Sequence, residues 1–300
     1  MLPAGPFTRR EAEGLGITRG RLRAMVADGS VRRVLSSVYA AGDVPETLEL
    51  RVAALGLIVG PDHIACDRTA AWIHGVDLLS LGESPARARP EVCVVRGRAP
   101  SERPEVRSRS RDLARRDVVR AGGLLVTTPL RTALDIGCIL RRRDALAAMD
   151  RLGNLHGVRT LDLLAELPRF RRRRGVLQLR ELIPLIDVRA ESPAETWTRL
   201  AIHDAGLPAP VSQWEVYVDG RVFRLDFAYP ERLLAVEYDG TEFHSDPADV
   251  ERDRERRDLL RRAGWRVIVV ARDGLTAAGS TRWLSDLRGE LARDPVVLRW

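Results

Sequence analysis

Lysine is absent from this 300-residue chain, so all 49 cationic side chains other than histidine are arginines. That absence excludes a phosphate-loop lysine and any lysine nucleophile. Cysteine is scarce. Cys66, Cys93 and Cys138 lie far apart, are odd in number and form no C-x-x-C pair, which argues against a disulfide framework or a zinc site and makes them reduced, mostly core residues. No run of about 18 apolar residues occurs, so no membrane partner is expected. The opening M-L-P-A-G-P-F-T-R-R lacks a basic-then-apolar signal pattern, and a cytoplasmic location follows.

What is present points to a polyanion. The net charge of +7 and pI near 10.2 favour nucleic acid as partner, a statement about association and not about fold. With 45% hydrophobic and 30% charged residues the chain reads as globular, and its length predicts two or three domains.

Residues 1–45 form the first of these. Thr8-Arg9-Arg10-Glu11 is a capping box opening a short helix that ends near Gly14 to Gly16. Thr18 then caps a second helix, Arg19 to Asp28, with Leu22, Met25 and Val26 on its apolar face and Gly29 as terminator. Ser30 to Ala40 reads as two short strands around a Ser-Ser turn. Helix, turn, helix and hairpin is the order of a winged helix-turn-helix, whose second helix enters the major groove, so Arg19, Arg21 and Arg23 are candidate DNA-binding residues. The alternative is an arginine-rich solvated helix.

Residues 46–175 read as mixed α/β. Helices are predicted over Pro45 to Val59 and Ala65 to Gly75, and strands within Pro90 to Arg96 and Gly123 to Thr127. Ser101 to Arg120, rich in arginine and poor in apolar anchors, suits a surface or phosphate-contacting segment. His63 and His74 read as structural. The run R-F-R-R-R-R at Arg169 to Arg174 reads as a solvated linker or a phosphate holder. Thr128 caps a helix with Pro129 at its first position. The stretches R-T-A-A-W-I-H-G (Arg68 to Gly75) and T-T-P-L-R-T-A-L-D (Thr127 to Asp135), with the N-terminal helices, resemble the type IV AbiEi-like antitoxin and regulator family over residues 5–170. The resemblance implies operator binding by the winged helix, an α/β domain behind it and a nucleotidyltransferase toxin as partner.

Residues 190–300 carry the one segment that reads as chemistry, Arg221 to His244. Two alternating runs, Val222 to Tyr229 and Leu233 to Asp239, are separated by Pro230, Glu231 and Arg232, a hairpin signal. Phe223, Leu225, Phe227 and Tyr229 share one strand face with Leu234, Val236 and Tyr238 beside them; Arg224, Asp226, Glu237 and Asp239 fall on the other. With Pro230 opposite Leu233, Asp226 faces Glu237 at roughly 5 Å between Cβ atoms. Opposed like charges destabilise a sheet unless a divalent cation joins them, and Mg²⁺ prefers such hard oxygens. A solvated acidic face is the alternative.

Upstream, Ser192-Pro193-Ala194-Glu195 opens a helix, with Glu195 placed for a capping box. Downstream, a helix from Pro247 to Ala263 carries Arg254 and Arg256, Trp265 to Val270 reads as a central strand, and Thr281 to Leu291 as a closing helix. These pieces in order resemble the PD-(D/E)XK nuclease superfamily, nearest its very-short-patch repair endonuclease (Vsr)-like branch. The resemblance implies a restriction-endonuclease-like mixed sheet flanked by helices. It also implies a site in which Asp226, Glu237 and Asp239 hold Mg²⁺ or Mn²⁺, Glu195 orients the metal or its water, His244 serves as acid or base, and Arg254 or Arg256 touches the scissile phosphate. Where many members place lysine, this chain has Asp239. The expectation is an α+β multidomain protein acting as a metal-dependent endonuclease with a DNA-binding head; the alternative is a non-catalytic regulator or type IV antitoxin with a degenerate nuclease domain.

Overall fold

The computed structural model describes residues 2–78, 89–104, 106–240 and 247–293, and among these described residues three sheets and eleven α-helices make a mixed α/β protein. Two compact units divide it, residues 1–140 with 155–184 and residues 141–154 with 185–300.

The first unit begins with β1 (Phe7–Thr8), α1 (Arg9–Gly14), α2 (Arg19–Ala27), β2 (Val31–Leu35) and β3 (Val38–Ala41). The expected capping box forms: the Thr8 hydroxyl accepts from the Glu11 N–H at 3.2 Å, and the Glu11 carboxylate accepts from the Thr8 N–H at 2.6 Å. Thr18 caps α2 through the Arg21 N–H at 3.3 Å. The hairpin turns at Ser36 and Ser37, and β1 adds beside β3 to give the order β1-β3-β2. Phe7, Ala12, Leu22, Val31 and Tyr39 fill the small core beneath the helices.

Next come α3 (Leu48–Gly56), β4 (Ile64–Ala65), α4 (Asp67–Ile73), β5 (Glu91–Val95), β6 (Arg107–Arg111), β7 (Val118–Ala121), β8 (Leu124–Thr127) and α5 (Pro129–Ile139); α6 (Arg142–His156) falls almost wholly in the second unit, and α7 (Thr160–Glu166) and α8 (Val176–Leu182) return to the first. The strands form one sheet in the order β6-β5-β4-β8-β7. Ser101 to Arg120, expected as a surface or phosphate-contacting segment, contributes β6 and most of β7, the two edge strands of that sheet. In β6 Arg107, Arg109 and Arg111 share one strand face, on which Arg107 and Arg109 are exposed and Arg111 is buried; charged side chains on an edge strand discourage pairing with another chain. The hairpin's Val34, Leu35, Val38 and Ala40 share a core with Leu50, Leu55, Trp72 and Val126, so the N-terminal elements are welded to the five-stranded sheet by apolar burial.

The second unit is built on α9 (Pro193–Asp204), β9 (Val211–Val218), β10 (Arg221–Tyr229), β11 (Leu234–Asp239), α10 (Pro247–Arg262), β12 (Arg266–Ala271) and α11 (Ala277–Leu291). Its sheet has the order β12-β11-β10-β9, with only β11 and β12 parallel. A parallel pair needs a long crossover, which α10 supplies. The run Trp265 to Val270, expected at the sheet centre, is therefore an edge strand; its apolar residues reflect packing on helices, not flanking strands.

The face assignment of the hairpin also changes. Phe227, Tyr229, Leu234 and Val236 pack with Ile202, Trp283 and Leu287, whereas Leu225, Ala228 and Ala235 pack with Leu259, Leu260 and Trp265. Leu225 and Phe227 thus join different cores, and the alternation breaks at Asp226. The break faces Gln213, whose φ of +55° interrupts the β9–β10 ladder between the Leu225–Trp214 and Phe227–Ser212 pairs. Because both faces are covered by helices, the acids are not on a solvated face.

Candidate functional site

The carboxylates of the second unit converge where β10 and β11 meet α9. The hairpin register is the expected one, with Phe227 opposite Val236 and Tyr229 opposite Leu234, although the turn is a 3-10 turn over Pro230–Arg232 followed by Leu233 at φ +46°. One step further along that register Asp226 faces Glu237. The Asp226 carboxylate accepts the Tyr238 N–H at 2.9 Å, replacing a ladder bond with a side-chain one. Burial, reinforced by the charges of Glu195 and Glu237, pushes its carboxyl up to about 6 against the opposing pull of the Tyr238 N–H and Arg256.

Glu195 is buried in the first turn of α9. Its carboxylate accepts from the Glu191 N–H at 3.0 Å and from Gln213 Nε2 at 2.9 Å, while its own N–H is capped by Ser192 at 3.2 Å. The capping box is thus shifted by one residue, and one Glu195 oxygen serves both the helix start and β9. Gln213 was not among the expected site residues; its left-handed conformation, unusual for glutamine, has no signal in the sequence.

Arg256 differs from its expected role. Its two terminal nitrogens take both Glu237 oxygens, at 2.9 and 2.5 Å, and one also donates to the Arg224 carbonyl at 3.0 Å. A planar guanidinium matches a carboxylate in this bidentate way, so Arg256 is committed to Glu237 and is not poised toward a phosphate. Arg254 is exposed on α10, Asp239 is half-buried at the end of β11, and His244 lies outside the described residues. Hard oxygens suit Mg²⁺, yet Glu237 is taken by a guanidinium, and among the described residues no group of three or more histidine, cysteine or acidic side chains is placed to hold a metal ion. The arrangement does not fit a divalent cation without displacement of Arg256.

In the first unit Arg19, Arg21 and Arg23 are all exposed on α2 and have no side-chain partner among the described residues. The motifs from Arg68 to Gly75 and Thr127 to Asp135 have a different purpose. Asp135 is fully buried, accepts from Arg131 Nε at 3.0 Å and Arg111 Nη1 at 2.6 Å, and forms an ion pair with Arg173 Nη1 at 2.7 Å. Arg131 also reaches Asp117 at 2.9 Å, Arg169 joins Asp117 at 2.5 Å, and Arg111 pairs with Asp67, which is held at φ +51°. Phe170 lies 5.2 Å from the Arg131 guanidinium and 5.1 Å from that of Arg173. The run R-F-R-R-R-R is accordingly no linker: Phe170 and Arg173 lock onto α5 and Arg169 onto Asp117, while Arg171, Arg172 and Arg174 face solvent. His74 Nε2 donates to the Thr127 carbonyl at 2.7 Å, joining the two motifs, and burial lowers its pKa, in keeping with a neutral structural ring.

Comparison with known proteins places this network. Residues 63–185 match the family model of the AbiEi antitoxin C-terminal domain, a span that contains every member of the network from Asp67 to Arg173 and does not reach the N-terminal helices. Two Mycobacterium tuberculosis proteins, Uncharacterized protein MT2308 (strain CDC 1551 / Oshkosh) and Uncharacterized protein Rv2248 (strain ATCC 25618 / H37Rv), are each 34% identical to the chain over 264 residues, 86% of this chain and 91% of their own length. The chain therefore belongs to the same family as these mycobacterial proteins and carries an AbiEi antitoxin C-terminal domain at residues 63–185.

Proposed function

We propose that this protein is a DNA-binding regulator of the antitoxin type, gripping DNA with a winged helix made of α1, α2 and the β2–β3 hairpin. The observation that carries this reading is the exposed trio Arg19, Arg21 and Arg23 on one short helix with no acid in its first turn, in a chain of net charge +7. The antitoxin-type domain adds a toxin as protein partner to the reading. A footprint tests it: the protein should protect a discrete stretch upstream of its own gene, and a chelator should leave that protection unchanged. Uniform weak protection of any sequence would overturn the regulatory part.

One observation favours a second reading, DNA nicking at a Mg²⁺ or Mn²⁺ site formed by Asp226, Glu237 and Asp239 in a restriction-endonuclease-like unit. It is the shared position of Asp226, Glu195 and Glu237, with the Asp226 carboxyl raised to about 6. That reading requires Arg256 to leave Glu237. Supercoiled plasmid incubated with either metal decides it: nicking by the wild type that disappears in Asp226→Ala supports the second reading, and equal products from both proteins sink it.

A further inference from the structure

Between α1, α2 and the hairpin lies a cavity of about 240 Å³ walled by Arg9, Arg19, Arg23 and Arg33. Leu22 and Val26 provide its apolar lining, and Ser37 and Tyr39 complete it from the hairpin. Four arginines line this space, and only Arg9 has a carboxylate partner among the described residues, Glu13 at 3.2 Å. Arg33 is oriented by a neutral group: its terminal nitrogen donates to the Tyr39 hydroxyl at 3.3 Å and its guanidinium lies 5.6 Å from the Tyr39 ring centroid. Its charge is positioned and left uncompensated.

The local electrostatics are unfavourable without an anion. Arg19 is the first residue of α2, at the positive end of the helix dipole, where acids and not cations are preferred. Arg19 and Arg23 are one turn apart, a like-charge pair that destabilises the helix by a few tenths of a kcal/mol. Ser37 sits at φ +70°, a conformation that glycine adopts more freely, and it brings a hydroxyl to the cavity wall. A bound phosphate reverses the sign of the first two terms and gives the hydroxyl an acceptor. Arg21, two residues from both Arg19 and Arg23, is not on the wall.

We infer that this cavity is a phosphate-binding pocket, taking one phosphate group between α2 and the hairpin, whether from a DNA backbone or from a free phosphate. Arg19 and Arg23 then hold backbone, and Arg21 is the helix arginine that faces base edges, which divides the trio into positioning and specifying contacts. This division rests on the DNA-binding reading; the pocket's affinity for phosphate does not.

The test uses the full chain and two duplexes, one from upstream of its own gene and one unrelated, followed by fluorescence anisotropy at several salt concentrations. Arg23→Gln and Arg33→Gln should each weaken both duplexes by a similar factor, about five- to tenfold, and lower the slope of log K against log salt by about 1. Arg21→Gln should instead shrink the preference for the first duplex. Unchanged binding by both pocket variants, or a loss confined to the preferred duplex, overturns the pocket while leaving the DNA-binding reading intact. If the wild type binds neither duplex, that reading fails and titration calorimetry with inorganic pyrophosphate judges the pocket alone. Saturable binding lost in Arg23→Gln supports it, and no saturable binding overturns it.

Discussion

Replacing Asp135 with alanine is expected to lower the unfolding midpoint of the first unit by roughly 10 °C, the consequence of about 3–5 kcal/mol lost when one member of a buried ion network is removed. Asp135 has no solvent contact, accepts from Arg111 and Arg131, both themselves buried, and pairs ionically with Arg173. Without the carboxylate, their charges stay in the core with fewer partners, and water cannot reach them to compensate. Asp135→Asn, which keeps the shape and one acceptor, should fall between. Arg173→Ala should cost least, since that side chain is partly exposed and its loss leaves Asp135 with two other donors. Differential scanning calorimetry of the full chain measures all three. An Asp135→Ala midpoint within a degree of wild type would mean that the network does not hold α5, β6 and the segment after α7 together.

The second large effect is expected on binding. A chain carrying Arg19→Ala, Arg21→Ala and Arg23→Ala together should lose affinity for DNA on the order of a hundredfold at moderate salt, and its salt slope should shrink by about 2, as phosphate contacts and their released counterions are removed. Thermal stability should hold or rise slightly, because cations at the positive end of α2 oppose its dipole. Loss of binding without loss of stability separates a contact surface from a structural helix. Unchanged affinity would make the trio a solvated face, the alternative its composition always allowed.

Local signals were the legible ones. Caps at Thr8, Thr18, Thr128 and Ser192 mark helix starts because each is a contact within a few residues, and the Ser36–Ser37 turn and the hairpin register follow from strand spacing in the same way. The Arg131 and Asp135 pair lies one helical turn apart within a motif read only for its cap and its resemblance, and Asp67, Arg111, Asp117 and Arg173 arrive from distant positions that no spacing announces. At the carboxylate site the sequence located Asp226, Glu237 and Glu195. Two features were hidden: the change of face at Asp226, which depends on Gln213, and the bidentate Arg256, which depends on where the crossover helix α10 lies. A period-two pattern assumes one buried face, and a sheet covered on both sides violates it. The same double cover explains why the acidic stripe, for which a solvated face was the alternative reading, is buried enough to raise the Asp226 carboxyl.

The central claim, sequence-specific DNA binding by the N-terminal helices without cleavage, is tested most directly by one quantity. It is the ratio of affinities for the upstream duplex and an unrelated duplex of equal length, measured at physiological salt in the presence of EDTA. The predicted ratio is about a thousand or more, with both duplexes recovered intact. A ratio near one, or a preference that vanishes when EDTA is added, would contradict it.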